Sequence, residues 1–176
     1  MRMKMLWTMQ TKTPRNKLDT LEQVYGYAMN LLNYRDYSSK DMFLKLTGKG
    51  ANPDDAKKAI AKLISNGFIN ELHYAKQVYR AWLSKKTYGR LHLLMELRRK
   101  NVSEEQVPAI MEEFTDELEL ENALHAAKHF IQRNEKKIKG NDEKLFTAAA
   151  RYMGNRGFSS RYIQVLLEQI RTENDM

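Results

Sequence analysis

The chain has no cysteine, which removes disulfide frameworks, thiolate metal sites and thiol catalysis together and fits a reducing compartment. It has no uninterrupted apolar run approaching the ~18 residues a membrane-spanning helix needs. The opening MRMKMLWTMQ has too short an apolar stretch for a secretory segment and no small-residue cleavage site. No P-loop, Rossmann glycine cluster or G-x-S-x-G occurs, so the common nucleotide-hydrolysing, dinucleotide-binding and serine-hydrolase chemistries have no footing. No alternating apolar–polar stretch of useful length suggests strands. These absences lead to the expectation of a cytoplasmic, all-α protein without enzymatic activity, cofactor, metal or membrane contact.

What the chain does have is a sufficient apolar fraction and an uneven charge. Of its 176 residues 42% are hydrophobic, adequate for a packed core. The net charge is +8, but it is distributed in blocks. Residues 1–70 carry 12 cations and 6 anions, and residues 71–100 carry 8 and 2. Residues 101–122 hold 8 anions and no cation, and residues 123–176 carry 10 cations against 6 anions. Such a basic balance favours polyanionic partners, though charge alone identifies none.

The seven residues LRRKNVS at 97–103 recur in kind. A shift of 51 places them on LTGKGAN at 46–52, and a shift of 56 on MGNRGFS at 153–159. Each copy has an apolar residue (Leu46, Leu97, Met153) and, three later, a cation (Lys49, Lys100, Arg156). Next stands a residue suited to positive φ (Gly50, Asn101, Gly157) and, two places on, a helix cap (Asn52, Ser103, Ser159). The following stripes align: Ala56, Ile60, Leu63 with Val107, Met111, Phe114 and with Ile163, Leu167, Ile170. Upstream, Leu21, Val24, Ala28 align with Leu72, Ala75, Tyr79 and with Ala123, Ala126, Phe130.

Each unit therefore reads as three helices, expected at 20–34, 39–48 and 53–65, at 71–85, 89–99 and 104–117, and at 119–133, 143–154 and 160–172. Asn66-Gly67 should close the third helix and Asn70 cap the fourth; Ser38 offers a cap ahead of Asp41. Pro53 stands at a first helical position, while Pro108 inside the sixth helix should remove one backbone bond or bend it. The expected organisation is a basic leader at 1–19, containing Pro14, then repeats at 20–70, 71–118 and 119–176, the last with an inserted loop near 133–144. Units of this size bury little alone and should stack into an elongated, curved array.

GFINELHYAKQVYRAWLSKKTYG at 67–89, followed by LHLLMELRRKNV, resembles the RecX family of recombinase regulators. The resemblance rests on Gly67, Phe68, Ile69, Asn70, Glu71, Tyr74 and Ala75, then on Gly89, Glu96, Leu97, Lys100, Asn101 and Val102. YSSKDMFLKLTGKG carries it in the first repeat through Ser38, Asp41, Met42, Lys45, Leu46, Lys49 and Gly50. It spans roughly residues 20–172 as several weak motifs in the right order. Asn101 stands where the family prefers glycine, and Leu91 and His92 occupy places that are often basic. The resemblance implies a non-enzymatic modulator of the RecA recombinase, acting in recombination, DNA repair and the SOS response. Such a protein would bind the groove of the RecA filament on single-stranded DNA and dampen ATPase, strand-exchange and coprotease activity.

The candidate contact residues are basic. Arg80, Lys85, Lys86, Arg90, Arg98, Arg99 and Lys100 flank the fifth helix, with Lys49, Arg156 and Arg161 as further members. Phosphates or acidic patches could engage them; in a generic protein a solvated face, helped by the negative end of a helix dipole, is the commoner explanation. Tyr79 and Trp82 fall on an apolar stripe and are expected in the core, with Tyr37 and Tyr88 at helix corners. Glu112, Glu113, Asp116, Glu117, Glu119 and Glu121 are expected to form one negative surface. Glu121, His125 and His129 share a helical face, but the sequence around them lacks the rest of a metal motif. The expected partners are RecA and its filament, with direct DNA contact open and the chain monomeric. A helix-turn-helix-like regulator of duplex DNA and a helical scaffold for a protein partner alone are the alternatives.

Overall fold

A computed structural model describes residues 18–134 and 142–174. The leader expected at 1–19 thus falls almost wholly outside the described residues, as does the middle of the loop near 133–144. Among the described residues every regular element is a helix: α1 Leu21–Leu32, α2 Ser39–Gly48, α3 Pro53–Ser65, α4 Glu71–Leu83, α5 Arg90–Arg99, α6 Val107–Glu113, α7 Asp116–Asn134, α8 Asp142–Asn155 and α9 Ser160–Asn174. They divide into two compact units. Of the described residues, one holds those up to Arg35 together with Met42–Phe68; the other holds Asp36–Asp41 and those from Ile69 onward.

In the first unit α1 packs on α3, and Val24, Ala28, Met42, Leu46, Ala56, Ala59 and Leu63 lose all contact with water. In the second unit α4, α5 and α6 pack on one another, and so do α7, α8 and α9. Tyr79, Trp82, Leu93, Leu97, Ile110 and Phe114 build one core there; Ala123, Ala126, Ala149, Met153, Phe158 and Leu166 build the next. The predicted stripes hold with one refinement. Met111 and Leu167 lie at the edge, and their neighbours Ile110 and Leu166, equivalent to Ala59, go deepest. Leu21 and Leu72, the first stripe positions and in the first turns of their helices, remain 39% and 44% exposed.

The thrice-repeated joint is one backbone motif. Gly50, Asn101 and Gly157 have φ of 99°, 53° and 79°. Directly after each, the amides of Ala51, Val102 and Phe158 donate to the carbonyls of Leu46, Leu97 and Met153, at 3.0, 3.0 and 3.3 Å. This six-to-one bond needs the left-handed residue between its ends, and it brings two buried apolar side chains together beneath the turn. Asparagine serves the middle copy because it enters that region more readily than other side-chain-bearing residues. Its amide also donates to Asp41 Oδ1 at 2.6 Å.

Caps follow the sequence where the chain can reach them. Thr20, Ser38, Asn52 and Asn70 accept from the amides of Gln23, Asp41, Asp54 and His73. Ser103 does not cap: residues 103–106 form a turn closed by Gln106 N–H donating to Ser103 O, and α6 starts at Val107. The reason is Pro108, whose ring would collide with the carbonyl four residues earlier if a helix ran from 104 onward. Starting at Val107 puts the proline in the first turn, where its missing amide has no partner to lose. The expected helix 104–117 is therefore only seven residues long. Thr115 then accepts from the Leu118 amide and opens α7 at Asp116, earlier than expected.

Candidate functional site

Arg90, at the first position of α5, folds back into its own unit. Its backbone N–H and Nε each donate to the Glu119 carboxylate at 3.0 Å. Nη1 and Nη2 donate to the carbonyls of Met111 and Phe114, at 3.1 and 2.6 Å, and Nη2 reaches Asp116 at 3.1 Å. The guanidinium thus closes the carbonyl end of α6, where positive charge is favoured, and ties α5 to α7. Glu119 is 2% exposed, which corrects its expected place on the negative surface. Its burial is tolerable because the carboxylate is met by charge and by N–H donors at once.

Beside this clasp two backbones touch. The Gly89 amide donates to Arg156 O at 3.0 Å and the Leu91 amide to Gly157 O at 3.1 Å. A Cβ on Gly89 would stand 2.5 Å from Gly157 O, and one on Gly157 would stand 2.5 Å from the His92 amide nitrogen. The α4–α5 loop is also set by Lys86, a non-glycine residue at φ 48°. His125 Nδ1 lies 3.1 Å from Lys86 O, and Lys86 Nζ pairs with Glu121 at 3.1 Å. Two members of the Glu121–His125–His129 face are thereby engaged, and among the described residues no cluster of metal-binding side chains forms.

The ten predicted contact residues separate by what holds them. Arg90 is fixed in the clasp, Lys86 is paired, and Arg99 forms a two-pronged bridge to Glu96 at 2.8 and 2.7 Å. That hydrogen-bonded bridge holds the Glu96 carboxyl below the usual range, against the opposing effect of its partial burial. Arg156 lies over Tyr152 and Tyr88, 4.3 and 5.0 Å from the ring centroids, and Lys49 lies 5.8 Å from the Tyr27 ring. Arg80, Lys85, Arg98, Lys100 and Arg161 have no ion-pair partner among the described residues. Arg98, in the last turn of α5, borders a cleft of about 520 Å³ with Asn101 and Ser103, and at the C-cap Lys100 O accepts from Tyr74 Oη at 3.0 Å. Tyr79 and Trp82 are in the core, 6% and 2% exposed, as their stripe requires.

A family model described as RecX, first three-helix domain, matches residues 25–63. The regulatory protein RecX of Vibrio campbellii is 30% identical over 140 residues, which cover 80% of this chain and 86% of that protein. The chain belongs to the RecX family. The regulatory protein RecX of Trichlorobacter lovleyi is 28% identical over 150 residues, 82% of this chain and 94% of the relative. The crystal structure of RecX from Lactobacillus salivarius superposes with a TM-score of 0.75 over 86% of this chain and 97% of that one; at 20% identity it speaks for the fold. In this RecX-family chain the clasp residues Arg90 and Glu119 and the touching pair Gly89 and Gly157 were the features that charge and periodicity missed. A glycine directly before a helix, one repeat ahead of a joint glycine, is the signal that could have marked the second pair.

Proposed function

We propose that this chain regulates the RecA recombinase by lying on the RecA–single-stranded DNA filament and restraining its ATPase, strand-exchange and coprotease activities. The observation that carries the reading is membership of a family whose relatives are described as regulatory proteins, on an all-helical repeat with basic side chains at its joints. Of the ten candidates, Arg80, Lys85, Arg98, Lys100 and Arg161 are available for intermolecular contact, with Lys49 and Arg156 as further members; Lys86, Arg90 and Arg99 contribute charge from fixed positions. Several modest contacts held at set spacings add up in affinity without any single strong one. A duplex-reading role is disfavoured by α6, which is seven residues long and has no cation with which to enter a major groove. The test is the ATPase of RecA on single-stranded DNA titrated with this protein. Dose-dependent inhibition below one copy per RecA is expected, and no effect at excess would defeat the reading.

A further inference from the structure

A second cleft of about 520 Å³ lies in the unit formed by α4 to α9, walled by Tyr88, Phe130 and Tyr152. Three cations among the described residues open onto it: Lys85 after α4, Arg133 in the last turn of α7 and Arg156 after α8. Among the described residues no carboxylate lines it and none pairs with these three. The contrast is local. Lys76, Lys86, Arg90 and Arg99, in the same unit, each have an acidic partner.

Each of the three cations stands near a helix C-terminus, which draws positive charge. A helix end supplies only about half an elementary charge, so roughly half of the cleft's positive charge is left without compensation. The donors are also held in place. Arg156 lies over both the Tyr88 and the Tyr152 ring, and Lys85 Nζ sits 5.9 Å from that same Tyr88 ring. Contact with two rings restrains the guanidinium, whose planar fork of N–H donors suits phosphate oxygens. The field reaches His92: burial chiefly holds it below the ordinary histidine range, and Lys85 and Arg156 add to this while Glu96 opposes it. The cleft volume falls within the range of roughly 300–1,000 Å³ usual for small-ligand sites.

We propose that this cleft is a phosphate site that takes the phosphate groups of a nucleotide, either free or within a strand, with Arg156 as the fixed fork and Lys85 and Arg133 as flanking charges. It goes beyond the regulatory reading above and is tested without any recombinase. Three probes are titrated onto the purified chain by calorimetry: ATP, inorganic triphosphate and a short oligothymidylate. The cleft variant carries Lys85→Glu and Arg133→Glu, both on exposed side chains. The control carries Lys57→Glu and Lys58→Glu on α3, an equal charge change at exposed positions. The cleft variant should bind at least about tenfold more weakly with an unchanged melting temperature, and the control within about twofold of the original, since each tenfold is only about 1.4 kcal/mol. Binding of ATP and triphosphate without the oligomer assigns a free nucleotide; oligomer binding displaced by triphosphate assigns a strand. Failure of all three probes, or equal losses in both variants, would overturn the proposal, the latter by showing a diffuse field.

Discussion

Replacing Glu119 by alanine tests whether the clasp on Arg90 holds α5, α6 and α7 together. The substitution removes two hydrogen bonds to a carboxylate that is 2% exposed. Removing one member of a fully buried pair costs about 3–5 kcal/mol, because the other charge is left without a partner. Arg90 is 34% exposed and keeps the Met111 and Phe114 carbonyls, so part of its charge stays solvated and bonded. That places the expected loss below this range, at about 2–3 kcal/mol. For a unit of this size the melting temperature, followed by circular dichroism, should fall by roughly 10 °C. Glu119→Gln keeps an acceptor without the charge and should lose about half as much. The decisive measurement is the double-mutant cycle with Arg90→Ala, in which the coupling should be about 1–3 kcal/mol. Additive losses, or a fall below about 0.5 kcal/mol for Glu119→Ala, would mean that the clasp carries no stability.

Gly89→Ala should be worse than its chemistry suggests, because its methyl would meet the Gly157 backbone at 2.5 Å; a loss of at least about 3 kcal/mol in urea unfolding is expected, against ~1 kcal/mol or less for an ordinary exposed glycine. Asn101→Ala should cost about 2–3 kcal/mol, from the left-handed backbone and the lost bond to Asp41, whereas Asn101→Gly should lose only the bond. His92, held below its ordinary range chiefly by burial, accepts a hydrogen bond from Trp82 Nε1 at 2.9 Å. Its unfolded form binds a proton more readily than the folded one, so its contribution is intact above about pH 6.5 and is lost as pH falls below that value, levelling off beneath the folded pKa. The urea midpoint should therefore fall between about pH 7.5 and 5.5, and His92→Gln should flatten that slope. Charge reversal at Arg98, Arg99 and Lys100 should weaken inhibition of RecA more than an equal change at Lys136, Lys137 and Lys139; equal weakening would point to net charge alone.

The helices were legible because each boundary is written in local chemistry. The apolar residue, cation, left-handed residue and cap recur at 46–52, 97–103 and 153–159, and a short-range pattern of that kind needs no knowledge of the fold. The sixth helix departed from expectation for an equally local reason. In the sequence Pro108 stands as a disturbance inside a helix, but moving the helix start to Val107 removes the conflict altogether. Ser103 then has no orphan amide within reach, so a residue of the right type in the right place performs no capping.

Charge was legible only as a sum, and the structure shows why the sum misleads about sites. Arg90 and Lys85 are five residues apart in one basic block, yet Arg90 has a carboxylate at 3.0 Å and Lys85 has none among the described residues. Nothing in the block distinguishes them, because Arg90's partner Glu119 lies 29 residues away in a segment that reads as a uniformly acidic surface. The same holds in reverse for Arg133, which belongs to no repeated motif but is brought by the end of α7 to the cleft that Lys85 and Arg156 share. Which cations are free to meet a phosphate is thus decided by which carboxylates the helical packing brings within reach, and a residue's worth as a contact is its charge minus what its neighbours already neutralise.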